Sequence, residues 1–241
     1  MDLKNKPILL TAAGTRTGAS IARFLLAQGA ELYLSYYSNS QGIEEILREF
    51  PNAKAWGLQA DLTDPDSVTA LVAQVKEKTD HLYGLINVVG DYHEAKVLDT
   101  SYDEFKKVIT NNLDSVFLTC KAFHPLLKSS GNARIINFSY AWAEKAGAAK
   151  PFAYHISKMG VLSLSKTMAR EWGGDNISVN IISPGTLENS IVKESENAAD
   201  YIPQGRFGRY QDLHPTLKLI LDPESLYLSG TNFILSGGYN L

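Results

Sequence analysis

Cysteine is nearly absent from this sequence: Cys120 is the single copy, so no disulfide can form within the chain. Its neighbours indicate a helix and a small buried side chain rather than a nucleophile. Basic residues are not in excess, because 23 lysines and arginines face 26 aspartates and glutamates for a net charge of −3. No window is apolar for long enough to span a bilayer, and the first residues lack the apolar run of a signal peptide. We therefore expect a cytoplasmic protein that binds neither nucleic acid nor membrane and holds no metal.

Apolar segments alternate with helical patterns along the whole chain. The predicted strands cover residues 7–10, 31–36, 55–59, 82–89, 134–138, 177–182 and 232–235. Helical spacing of apolar residues fills the gaps, with long helices predicted at 102–128 and 151–172 and a short one at 213–221. Strands separated by helices predict a Rossmann-type α/β fold with a doubly wound parallel sheet. We expect a single domain over residues 1–241, with a substrate loop at about 186–205.

A short turn rich in small residues follows the first predicted strand. It carries Gly14, Thr15, Arg16, Thr17 and Gly18. A dinucleotide site needs a tight turn at this place, because backbone N–H groups and the positive end of the next helix bind the pyrophosphate. The glycine pattern is incomplete, and an ordinary turn between strand and helix is the alternative. Its position at the start of an alternating strand and helix series favours the phosphate site.

The end of the second predicted strand bears on the choice of cofactor. An acidic residue there would bind the ribose hydroxyls of NAD(H) and repel a 2′-phosphate. The segment instead offers the hydroxyl and amide groups of Tyr36, Ser38 and Asn39. NADP(H) is therefore favoured over NAD(H), although the segment contains no arginine.

A tyrosine and a lysine stand four residues apart after the fifth predicted strand. Tyr154 and Lys158 share a helix face at this spacing. A nearby ammonium favours the phenolate, so we expect the pKa of Tyr154 to be lowered into the working range of an acid/base catalyst.

From this point the chain resembles the short-chain dehydrogenase/reductase family over essentially its whole length. The further residues that carry the resemblance are Asp61, Leu62, Asn87, Val88, Gly90, Asn112, Pro184, Gly185, the pair 229–230 and the segment 236–238. The resemblance implies that Tyr154 exchanges the substrate proton, that Lys158 holds the nicotinamide ribose and that Asn112 supports a proton relay. The residues that would line the cofactor are Asp61, Leu62, Asn87, Val88, Gly90 and the pair at 184–185. The implied activity is an NADP(H)-dependent oxidoreductase that transfers a hydride to a carbonyl or pterin-like small substrate.

The chain departs from the family in two places. The family's catalytic serine falls near Ser139, with Tyr140 in the aligned position, and we predict Ser139 for this role with Tyr140 as the alternative. Arg16 replaces a glycine of the turn, which looks like the pteridine reductase branch. These departures motivate an alternative function, a dinucleotide-binding sensor or scaffold with weak or no catalysis.

Two regions of the predicted surface indicate which protein partners to expect. Related acyl-carrier-protein reductases use surface arginines where this chain has Asp175 and Ser130, which disfavours an acidic carrier. The two long helices carry apolar residues beyond one inward stripe, and by the resemblance such helices form subunit contacts. We therefore expect a homodimer or homotetramer; the apolar residues are Val116, Phe117, Phe123, Leu162 and Leu164.

Overall fold

The computed structural model describes residues 3–145, 151–190 and 195–239. Its centre is one parallel sheet of seven strands in the order β3-β2-β1-β4-β5-β6-β7. The strands are β1 Pro7–Leu10, β2 Glu31–Tyr36, β3 Ala55–Gln59, β4 Gly84–Asn87, β5 Ala133–Phe138, β6 Ile177–Pro184 and β7 Asn232–Leu235. The direction of winding reverses between β1 and β4, and ligands of such sheets bind at the carboxyl ends of the strands beside this reversal. The predicted fold class is confirmed.

Helices cover both faces of the sheet. They are α1 Arg16–Ala27, α2 Gln41–Glu49, α3 Pro65–Lys76, α4 Tyr102–Ile109, α5 Ser115–Ser129, α6 Phe152–Trp172 and α7 His214–Ile220. One buried cluster joins α1, α2 and α7 to the sheet, and a second joins α3, α5 and α6 to the other face. Both faces of the central strands β1, β4 and β5 are thus buried throughout, which is why these strands are mostly apolar rather than alternating. No helix in the described part of the chain is long and apolar enough to cross a membrane.

The long helix predicted at 102–128 is interrupted. A π-helical turn, Thr110–Asp114, separates α4 from α5 and carries Asn112. The Asn112 side-chain amide donates to the carbonyls of Val108 and Asp91 at 2.9 and 2.8 Å. Hydrophobic spacing does not reveal one extra residue in a turn, and such turns are frequent at functional sites.

The turn after β1, at the predicted phosphate-binding site, contains a residue in a strained backbone conformation. Ala12 occupies a position where the backbone has a φ of 49°, in the left-handed region. A Cβ on Gly18 would lie 2.1 Å from the Ala12 carbonyl oxygen, so the neighbouring helix packs closely on this turn. A residue with a Cβ pays about 1–2 kcal/mol for this conformation, and glycine does not.

We therefore expect Ala12→Gly to stabilise the protein by about 1 kcal/mol, because the relief of strain outweighs the added entropy of the unfolded chain. Urea denaturation followed by circular dichroism would show a higher midpoint with an unchanged slope. Ala13→Gly is the matched control, since Ala13 is fully buried and has no positive φ, and it should lower the midpoint. An unchanged or lower midpoint for Ala12→Gly would contradict the strain argument.

The residues used to predict self-association are mostly in the core. Val116, Phe123 and Leu162 are buried within the subunit, so they do not mark an interface, and this part of the argument is wrong. A periodic pattern did not separate them from surface residues because both sides of α5 and α6 contact other elements. Phe117 is 45% exposed, in agreement with the expectation.

Candidate active site

Tyr154 and Lys158 lie in the first two turns of α6, at the carboxyl end of β5. Lys158 is buried, and its Nζ donates to the Phe138 carbonyl at 3.1 Å. The same Nζ lies 5.6 Å from the centre of the Tyr154 ring. In the described part of the chain the Tyr154 hydroxyl makes no hydrogen bond, which leaves it available to a ligand.

Burial dominates the electrostatics of this pair. It lowers the pKa of Lys158 to about 8, so the ammonium titrates close to neutral pH. The pKa of Tyr154 is raised, first by burial and then by the neighbouring phenols Tyr140 and Tyr92. The expected lowering by Lys158 is therefore wrong for the free protein, because the ammonium, 5.6 Å from the ring centre, does not offset the effect of burial on the phenol. Tyr154 therefore keeps its proton at neutral pH.

Asn112 and Gly90 complete the surroundings of Lys158. The Asn112 Oδ1 is buried and has no hydrogen-bond partner among the described residues. A Cβ on Gly90 would lie 2.6 Å from this oxygen and 3.0 Å from the Lys158 Nζ. Only glycine lets the strand end approach both groups so closely. The structure thus brings together Lys158, Asn112 and Gly90, and the free acceptor beside an ammonium fits a bound water in a proton relay.

The two candidates for the serine role differ in their surroundings. The Ser139 hydroxyl is buried and donates to the Lys158 carbonyl at 3.2 Å. Tyr140 instead contacts the Tyr154 ring edge-on, with the ring centres 5.1 Å apart. Its hydroxyl lies 2.5 Å from the His155 Nδ1. The geometry favours Tyr140, and the role of Ser139 stays a prediction. His155 was missed at the sequence level, although its place directly after Tyr154 was a signal.

The residues predicted to bind the cofactor line the carboxyl edge of the sheet. They are Gly14, Thr15, Arg16, Thr17 and Gly18 after β1, Tyr36, Ser38 and Asn39 around the end of β2, Asp61 and Leu62 after β3, Val88 and Gly90 after β4, and Pro184 and Gly185 at the end of β6. Thr15 makes no side-chain cap bond to α1, so the first N–H groups of that helix have no capping side chain. Arg16 is exposed beside them. This cradle fits an anionic pyrophosphate.

Two of the residues predicted to bind the cofactor use their side chains for hydrogen bonds within the protein. The Asn87 side chain is buried in a polar network, donating to Asn137 Oδ1 at 2.9 Å and accepting from Thr119 at 3.1 Å. The Asn87 side chain thus joins β4 to β5 and α5, so only the main chain of Asn87 remains to contact a cofactor. The Asp61 carboxylate accepts from the N–H and hydroxyl of Thr63 at 2.9 and 2.6 Å. This bond shapes the turn after β3 that presents Leu62.

Aromatic rings lie against Tyr154 and beside the predicted substrate loop. Tyr92 contacts Tyr154 edge-on with 5.1 Å between ring centres, and Trp142 contacts Tyr239, which in turn contacts Tyr201. Tyr201 belongs to the predicted substrate loop, of which residues 191–194 lie outside the described part. No group of acidic, histidine and cysteine side chains in the described ranges could hold a metal ion. The site can therefore present phenols to a ring-shaped, uncharged surface.

Comparison with known proteins agrees with this geometry. A family model described as enoyl-(acyl carrier protein) reductase matches residues 14–240. The chain is 31% identical to trans-4-hydroxycyclohexanecarboxylate dehydrogenase of Sinomonas cyclohexanicum over 240 residues, which cover 97% of this chain and 92% of that protein. It is 28% identical to 3alpha-hydroxysteroid dehydrogenase of Mediterraneibacter gnavus, covering 98% of each chain.

Two further likenesses extend the comparison. A 3-oxoacyl-(acyl-carrier-protein) reductase of a Synechocystis strain is 27% identical, with 95% of each chain covered. The crystal structure of a dehydrogenase/reductase from Sinorhizobium meliloti superposes with a TM-score of 0.92 at 24% identity, covering 100% of this chain and 97% of that chain. In the fold, Tyr154, Lys158 and Asn112 lie together at one edge of the sheet. With this geometry, the family-model match and the relatives show that the chain belongs to the short-chain dehydrogenase/reductase family of NAD(P)-dependent oxidoreductases.

Proposed function

We propose that this protein reduces a ketone on a small ring-bearing substrate with NADPH, and that Tyr154 donates the proton. The observation that carries the proposal is the free Tyr154 hydroxyl, held in its protonated form between two aromatic rings and beside Lys158. NADPH supplies the hydride when bound. Two relatives named above act, by their names, on ring alcohols. A pterin-like ring, which the exposed Arg16 could contact, is a second substrate class to test.

In this proposal each residue of the site has a separate task. Gly14, Thr15, Arg16 and Thr17 hold the pyrophosphate through N–H groups and a guanidinium. Lys158 binds the nicotinamide ribose and keeps a positive charge near the developing charge on the substrate oxygen. After Tyr154 has given its proton to the substrate oxygen, Lys158 passes a proton to the tyrosinate, and a water held by Asn112 returns a proton to Lys158.

An acyl carrier protein is not the proposed partner. Asp175 forms ion pairs with Lys128 and His124 at 2.7 and 3.0 Å, so this surface presents a neutralised carboxylate instead of an arginine. We also propose that the chain forms homodimers or homotetramers. The exposed apolar side chains of α4, α5 and α6 support this arrangement; they are Tyr102, Phe117, Ile156 and Met159.

The test is a substrate panel followed by cofactor absorbance, with NADPH and NADH in parallel. Suitable probes are 4-oxocyclohexanecarboxylate, cyclohexanone, a quinone and a dihydropterin. Turnover of ring ketones with NADPH, and weaker binding of NADH, are the expected results. The preference for NADPH is expected because the Asn39 Oδ1 accepts from the Gln41 N–H, which leaves the side-chain amide of Asn39 free to donate to a 2′-phosphate.

Ser38→Arg should increase the preference for NADPH about tenfold, because it adds a charge-assisted hydrogen bond to the phosphate. Ser129→Arg adds the same charge on an exposed site at the end of α5 and is the matched control. Equal binding of NADH and NADPH by the parent protein would contradict the cofactor assignment.

A further inference from the structure

A tyrosine and a histidine form a hydrogen-bonded pair beside Tyr154. We propose that His155 holds Tyr140 so that the Tyr140 O–H binds the substrate carbonyl oxygen next to Tyr154. Tyr140 is then a catalytic residue and His155 is a positioning residue. The inference rests on the proposed ketone reduction, but the pairing itself is observed without reference to a substrate.

Tyr140 has the position and the chemistry to bind a carbonyl oxygen. It follows β5 directly, is only partly buried, and contacts Tyr154 with 5.1 Å between ring centres. Burial raises its pKa, so the phenol keeps its proton and can donate it in a hydrogen bond. The reaction balances without it: the carbonyl carbon receives the hydride, the oxygen receives the Tyr154 proton, and Tyr140 keeps its own.

The proton on the His155 ring decides whether this donor is free. His155 is buried, and burial lowers its pKa, so the ring is neutral and carries one N–H. If Nε2 carries the proton, Nδ1 accepts the Tyr140 proton and the phenol has none left for a substrate. If Nδ1 carries it, Nδ1–H donates to the Tyr140 oxygen, and the Tyr140 O–H can turn to the site.

The surroundings of His155 favour the second arrangement. Its Nε2 is buried and makes no hydrogen bond in the described part of the chain. A backbone contact from Lys145 offsets part of the effect of burial on the pKa of the ring, but no acceptor meets hydrogen-bond geometry at Nε2 among the described residues. Buried N–H groups without an acceptor are rarer and costlier than acceptors without a donor, so the proton belongs on Nδ1. A hydrogen bond received by the phenol oxygen also strengthens the O–H as a donor.

Two neighbours serve as internal comparisons. Tyr92 contacts Tyr154 at the same ring distance of 5.1 Å and the same angle of 61° as Tyr140 does. Its hydroxyl makes a 3.4 Å hydrogen bond to Glu94, and among the described residues no hydrogen bond joins it to an imidazole. Ser139 uses its hydroxyl on the Lys158 carbonyl. Neither offers a held donor of the kind that Tyr140 offers.

The first arm of the test is a double-mutant cycle on the full-length protein, with 4-oxocyclohexanecarboxylate and NADPH. Tyr140→Phe should lower kcat by about 100-fold, as for the loss of one oxyanion-type donor. His155→Phe should lower kcat by about tenfold or more in the parent and have no further effect in the Tyr140→Phe background. His155→Asn has a side-chain amide that can take the place of Nδ1, so this variant should keep most of the parent kcat, unlike His155→Phe. Tyr92→Phe and Ser139→Ala test the two alternative donors and should each lower kcat less than Tyr140→Phe does. Tyr227→Phe, at a fully exposed phenol, is the control and should leave kcat unchanged.

The second arm needs no turnover. Nitrogen-15 NMR of the five histidines distinguishes the two neutral ring forms, and the His155 signals are assigned by their loss in His155→Asn. We expect a proton on Nδ1 and a shift of that signal in Tyr140→Phe. A proton on Nε2, or additive effects in the cycle, overturns the inference while the parent remains an active reductase. A parent that turns over none of the probes contradicts the proposed function instead, and the catalytic role of Tyr140 with it.

Discussion

Tyr154→Phe is expected to lower kcat by about 1,000-fold, within the range for the loss of a general acid. The hydroxyl of Tyr154 makes no side-chain hydrogen bond in the described part of the chain, and its raised pKa keeps it protonated at neutral pH. Phenylalanine keeps the edge-on contacts to Tyr92 and Tyr140, so NADPH should bind with unchanged affinity. Cofactor absorbance measures kcat, and a fluorescence titration measures the dissociation constant.

The control for this substitution is Tyr227→Phe, which removes a fully exposed phenol and should leave both quantities unchanged. A kcat within tenfold of the parent value would remove Tyr154 from the role of proton donor. Tight NADPH binding by a parent that reduces no probe would favour the alternative of a dinucleotide-binding sensor or scaffold.

Arg134→Met is expected to destabilise the protein by about 4 kcal/mol, the largest stability effect we predict for one side chain. Arg134 is fully buried on β5, and its guanidinium donates to the carbonyls of Ile220, Asp222 and Pro223 at 2.9–3.1 Å. These carbonyls close the end of α7 and the turn after it. Methionine fills a similar volume but leaves the buried Ile220 carbonyl and the partly buried carbonyls of Asp222 and Pro223 without these donors.

Denaturant unfolding followed by tryptophan fluorescence measures this loss of free energy. Arg170→Met, on the exposed side of α6, removes the same charge and should change stability by less than about 0.5 kcal/mol. Arg134→Lys keeps a charge but offers fewer, differently placed donors, so it should fall between the two. Parent-like stability of Arg134→Met would show that the carbonyls of the α7 end find other donors.

Much of the fold is encoded locally. The predicted bounds of β1, β2, β3 and β7 agree with the structure to the residue, because each is a short apolar or β-prone run that ends at turn-forming residues. The prediction for β4 was longer than the strand at both ends, since apolar residues continue past the last paired position at Asn87. Alternation of strands and helices was enough to predict the parallel sheet.

The sequence by itself determined which side chains can carry the chemistry. Tyr154 and Lys158 were predicted from their types and spacing, and Asn112 from the resemblance to the family. The sheet brings them to one edge because the carboxyl ends of parallel strands meet there. Only the tertiary structure decided the direction of the Tyr154 pKa, the pairing of Tyr140 with His155 and the anchoring of Arg134. Burial and hydrogen-bond partners come from segments distant in the chain, and no local pattern encodes how much water remains around a group.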